Sequence, residues 1–142
     1  MDVKVRPREA VQLYKTMDIS LEDFSAILHP LVKVDFESPT KSIEEEGNLS
    51  DLYSTVEPSD VRAVLEKYVR GMVEEVDLAN WARVLRMSSL YSFYPPNEDL
   101  LAEVVFLLSS PSTHGAPTVE NVTYLLQCLD SDTLPDEDHF AV

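Results

Sequence analysis

Apolar residues recur at helical spacing six times along this chain. Ala10, Leu13, Tyr14 and Met17 follow the i, i+3, i+4, i+7 pattern behind Pro7, a residue suited to the first turn of a helix. Phe24, Ile27, Leu28 and Leu31 repeat the pattern, and Pro30 kinks or ends that segment. Val61, Val64, Leu65 and Tyr68 form a third stripe, opened by Pro58 and Ser59 and closed by Gly71. Leu78, Trp81, Ala82 and Leu85 form a fourth, running on towards Tyr91. Leu101, Val104, Val105 and Leu108 make a fifth, and Leu100, Phe106 and Leu107 cover much of its opposite face. That helix is apolar nearly all round and belongs at the centre. Val122, Leu125, Leu126 and Leu129 supply the sixth. The expected fold is all-α, a compact bundle of five to six helices built from antiparallel helix-turn-helix pairs.

Strand signals are sparse. Residues 31–38, LVKVDFES, alternate briefly, but with no partner of matching length they read as a helix end and connection. Residues 38–57 form a long joint between two helical halves, 1–37 and 58–130, of a single helical domain spanning 1–130. Within the joint, SIEEEG suits a helical turn, and LSDLYS can dock through Leu49, Leu52 and Tyr53. Residues 131–142 read as a disordered acidic tail.

Three places share a local grammar: MDISLEDF (17–24), GMVEEVDL (71–78) and GAPTVENV (115–122). Each ends one helix, places an apolar residue or proline two positions later, and offers Ser20, Glu74 or Thr118 at the start of the next. Gly71 takes the left-handed conformation that closes a helix without a Cβ penalty. Ser20 and Thr118 are good N-caps, Ser20 with Asp23 approximates a capping box, and Glu74 is a poorer cap. The first two corners also share Tyr14 and Tyr68 at equal distances upstream, which points towards a duplicated helical pair. Trp81, three residues after Leu78 and four before Leu85, is read as core.

Charge changes the picture. The chain of 142 residues carries a net −15, placed unevenly. All 11 Lys and Arg lie between Lys4 and Arg86, facing 17 Asp and Glu there, whereas residues 87–142 hold nine acidic residues and no basic one. A field of this sign repels phosphate backbones, so nucleic acid is not the expected ligand. It favours a basic protein partner and speeds encounter with it. Cys128 stands alone, which excludes an intramolecular disulfide and suits a reducing cytoplasm. The N-terminal MDVKVRPREAV lacks the apolar run of a signal peptide, and LLAEVVFLL, interrupted by Glu103, is too short to span a membrane.

Catalytic patterns are absent from the sequence. His29, His114 and His139 do not share the i, i+4 spacing that sets two ligands on one helix face. Cys128 sits on a helix beside Leu126 and Leu129 and reads as an inert core thiol, and three glycines leave little room for a phosphate-binding loop. No enzyme, no metal site and no cofactor are expected.

The motif Tyr68-x-x-Gly71-x-Val73-x-x-x-Asp77-Leu78-x-x-Trp81-Ala82 resembles the small bacterial helical proteins of the colicin-type immunity kind. The likeness covers residues 60–90 and is echoed at 10–28. The two-unit arrangement and the 38–57 joint depart from the usual short single-unit chain. The resemblance implies a small acidic, non-catalytic helical protein that masks a basic toxin by mimicking the charge of its substrate. On that reading the partner-facing carboxylates are Glu44, Glu45, Glu46 and Asp51 in the joint, with Glu98, Asp99 and Glu103 from the uniformly acidic half. The alternative is a helical scaffold, adaptor or homodimer without a toxin, for which an exposed apolar face on the 97–109 helix would speak.

Overall fold

Pro7 opens the first helix, where its missing N–H costs nothing, and Pro58 and Pro111 stand at the same place in two later ones. The computed structural model describes residues 5–37 and 40–140. Along them run α1 (Pro7–Tyr14), α2 (Leu21–Leu28), β1 (Val32–Asp35), β2 (Ser42–Glu45) and β3 (Ser54–Val56). There follow α3 (Pro58–Val69), α4 (Glu75–Met87), β4 (Tyr91–Phe93), α5 (Glu98–Ser109), α6 (Pro111–His114), α7 (Val119–Ser131) and α8 (Glu137–Phe140). The fold is therefore rich in helix but not all-α, because it contains two small sheets.

Both sheets correct the sequence reading. β1 pairs antiparallel with β2, Val34 opposite Ile43, so SIEE is the strand partner that 31–38 lacked and not a helical turn. β3 pairs in parallel with β4, Ser54 opposite Tyr91, and the chain between them is the α3–α4 pair. Each strand has only three or four residues, too few for alternation to build a signal against the helical background. Helix ends also differ. α1 stops at Tyr14, and α2 stops at Leu28, leaving Leu31 exposed.

The buried side chains form one cluster reaching from Ala10 to Leu129. α5 packs along α4, and α3 packs against α7, so the main helix contacts join elements distant in sequence as well as neighbours. An ion pair between Arg62 and Asp130 bridges α3 and α7. Trp81 is fully buried, as its stripe requires, and α5 buries Leu100, Leu101, Val104, Val105, Leu107 and Leu108. Leu49 is buried, while Leu52 is half-buried and Tyr53 exposed. Of the 131–142 segment, residues 141–142 lie outside the described residues, as do 38–39 of the joint. Pro135 is buried, and the Asp136 amide donates to the Tyr124 hydroxyl at 2.8 Å.

Candidate functional site

The two corners that open the repeated grammar are built alike. At the end of α3, Gly71 is left-handed with φ +78°. Its N–H donates to the Tyr68 carbonyl at 3.0 Å, and the Met72 N–H donates to the Lys67 carbonyl at 2.9 Å. At the end of α1, Met17 takes φ +54°, its N–H donates to the Tyr14 carbonyl, and the Asp18 N–H donates to the Leu13 carbonyl, both at 2.9 Å. These paired bonds are the Schellman closure, which satisfies carbonyls that a helix end leaves orphaned. The third instance differs. Gly115 closes α6 with φ +113°, and its N–H donates to Pro111.

The segment that restarts each helix follows from capping. The Ser20 hydroxyl accepts from the Asp23 N–H at 3.1 Å, and Thr118 does the same for Asn121 at 3.1 Å. Glu74 starts α4 without a side-chain cap. Because the first two corners share their spacing, Asp23 and Asp77 fall at the same third position of α2 and α4. A carboxylate there suits the helix dipole.

Between these corners lies a recess of about 380 Å³. Met17, Ile19, Leu21, Met72 and Val73 supply its apolar walls, and Asp18, Asp23 and Asp77 its carboxylates. Tyr14 reaches it from the core, fully buried, with its ring stacked on Phe24 at 4.6 Å. The Tyr14 hydroxyl has no hydrogen-bond partner among the described residues. A buried hydroxyl in that state costs about 1–3 kcal/mol. Its acidity is pushed far below that of an ordinary phenol, first by burial and then by the negative charge of Asp77. The hydroxyl therefore stays protonated, able both to donate and to accept.

The rest of the framework is pinned. The Trp81 indole N–H donates to the Lys15 carbonyl at 3.1 Å. Lys67 donates to the Thr16 carbonyl at 2.7 Å and to Asp18 at 2.8 Å. Those bonds, with one from the Thr16 hydroxyl at 2.7 Å, hold the Asp18 carboxyl below its ordinary pKa. Lys67 thus offsets the charge of Asp18. Among the described residues, Asp23 and Asp77 form no ion pair.

The carboxylates nominated from sequence are scattered over several elements. Glu44 and Glu46 are exposed at the β1–β2 hairpin, with Lys33 3.9 Å from Glu46. Glu45 is engaged instead: the Ser88 hydroxyl donates to it at 2.7 Å and the Ser89 N–H at 3.2 Å. It ties the hairpin to the end of α4. Asp51 is exposed in a short 3-10 turn. Glu98 and Asp99 are exposed at the start of α5, bordering a shallow recess with Asp132, which accepts from Asn97 at 2.9 Å. Glu103 is half-buried beside Arg86 and Phe106, where the Arg86 guanidinium lies 4.9 Å from the ring centroid.

Three further chemistry-bearing side chains are engaged in packing, while His29 is exposed. Cys128 is buried, His114 lies against Phe106 at 4.3 Å, and His139 stacks on Tyr124 at 3.9 Å. Among the described residues no group of three His, Cys, Asp or Glu could hold a metal, and no helix is long and apolar enough to cross a membrane. The features defined so far are a helix-rich fold with two small sheets and an acidic recess between two like corners. No protein-family model, curated protein or solved structure matches the chain.

Sequence reasoning nominated neither Tyr14 nor the Asp23/Asp77 pair for binding. The signal was present in the alignment of 17–24 with 71–78, which places an acidic residue six positions after each left-handed residue.

Proposed function

We propose that this chain is a small acidic, non-catalytic binding protein that masks a basic protein partner, in the manner of an immunity-type inhibitor of a toxin. The observation that carries the reading is the charge of −15 together with its placement. Residues 87–142 hold nine acidic and no basic side chains, and Glu98 and Asp99 stand exposed at the start of α5. Such a surface attracts a basic partner at long range, and its effect weakens as salt screens it. The packing engagements of Cys128, His114 and His139 support the non-catalytic part of the reading. The homodimer reading draws less support, because the apolar residues of α5 that would form its interface are buried within the chain.

Affinity capture at low salt followed by stepwise salt elution tests this. The partner is then purified and its Kd measured at two ionic strengths. A strongly basic partner whose affinity falls steeply with salt is expected. A salt-insensitive complex, or self-association alone by light scattering, overturns the reading.

A further inference from the structure

The recess between the α1–α2 and α3–α4 corners has a composition that selects one kind of ligand. Among the described residues, the Asp23 and Asp77 carboxylates have no ion-pair partner and the fully buried Tyr14 hydroxyl no hydrogen-bond partner, and all three border apolar walls. An anion would meet the carboxylates, although two helix N-termini lie close by, and Ser20 already occupies the Asp23 N–H of one of them. A bare divalent ion would need a tighter ligand set than the described residues provide. A cation carried on an apolar stem meets neither objection. Its methylenes would lie along Ile19, Leu21, Met72 and Val73 while its head reaches the carboxylates.

We propose that this recess is the seat for an arginine side chain presented by the basic partner. A guanidinium offers five N–H donors in a planar fork. That number can serve the Asp23 and Asp77 carboxylates and still leave a donor for the Tyr14 hydroxyl oxygen. A lysine ammonium, compact and strongly hydrated, would gain less from a recess with apolar walls. The proposal deepens the binding reading above and rests on it for the source of the arginine. The recognition chemistry itself stands on the recess.

The test uses blocked arginine, N-acetyl-arginine-N-methylamide, titrated into the isotopically labelled full chain and followed by backbone amide NMR. The lysine and norleucine analogues and free arginine are titrated alongside it. Saturable shifts are expected at Asp18, Ile19, Met72 and Asp77, with the arginine analogue ahead of the lysine one and norleucine silent. Asp77→Asn and Tyr14→Phe are each expected to weaken the arginine analogue about tenfold. Both variants should keep the wild-type melting temperature or exceed it, since Tyr14→Phe removes a hydroxyl with no bond to lose. Asp23→Asn, at an exposed position, gives a second variant independent of the core.

Equal response to arginine and lysine overturns the guanidinium assignment, and unsaturable shifts spread over the acidic surface overturn the site. Binding of free arginine without the blocked analogue overturns the partner as the source. Once a partner is in hand, unchanged affinity in Asp77→Asn also removes the seat while leaving the broader binding reading standing. If no basic partner is ever captured, the broader reading fails first.

Discussion

Met17 and Gly71 hold the same place in two successive corners: both are left-handed, and each is followed by a residue whose N–H closes back five positions. The strain differs between them, because a side chain resists positive φ and glycine does not. An added Cβ at Gly71 would meet nothing within 4 Å, so Gly71→Ala isolates the backbone cost. The variant should lose about 1–2 kcal/mol in urea unfolding, with an unchanged m-value. A neutral result would mean that the corner is not left-handed in solution.

Trp81 does more than fill the core, since its N–H satisfies the Lys15 carbonyl at the first corner. Trp81→Phe keeps an aromatic ring but removes that donor and part of the volume. We expect a loss of about 2–4 kcal/mol, with faster amide exchange at residues 15–18 than elsewhere. Uniform destabilisation without a local change at the corner would argue that the indole bond holds nothing in particular.

Asp18 gives a pH signature. Its folded pKa lies below the ordinary aspartate value because Lys67 and Thr16 bond to the ionised form. A depressed folded pKa contributes stability that is present above the unfolded pKa and is lost as pH falls through the folded one. Lys67→Met should therefore move the Asp18 titration, followed by carboxyl carbon NMR, back upward. It should also flatten the loss of stability between neutral and acid pH. The contribution is modest, because the group is largely exposed and solvent screens it.

Glu44 and Glu45 are adjacent in sequence and unlike in role. Glu45→Ala leaves the Ser88 hydroxyl and Ser89 N–H without their acceptor and should cost about 1–3 kcal/mol in thermal unfolding. Glu44→Ala, on the exposed side, should fall within about 0.5 kcal/mol of wild type. Equal effects would remove the hairpin tether. A charge reversal meant to map partner binding therefore belongs at Glu44 and Glu46, with Glu45 left intact. Lost affinity at an unchanged melting temperature would place the partner on the hairpin.

Much of the helical layer was legible in the sequence, because each stripe recurs locally and most helices carry their own start or stop. The stripe Leu78, Trp81, Ala82 and Leu85 is fully or almost fully buried, Ser20 and Thr118 cap where their chemistry suits them, and Gly71 supplies positive φ. These features depend on residues within a few positions of one another, so one sequence carries all the information they need. The left-handed Met17 was less legible, since nothing in a methionine announces that conformation; only its place in the shared grammar does.

The sheets depended on partners elsewhere. Val34 becomes strand because Ile43 lies opposite, and Ser54 pairs with Tyr91 across a whole helical pair. Pairings of three or four residues carry too little local preference to declare themselves. The same holds for the recess. The sequence by itself set an acidic residue six positions after each left-handed corner and an apolar tyrosine stripe before it. Only the tertiary structure brought Tyr14, Asp23 and Asp77 to one place and left the buried hydroxyl without a partner among the described residues, because side chains from separate helices meet through packing, which no local spacing encodes.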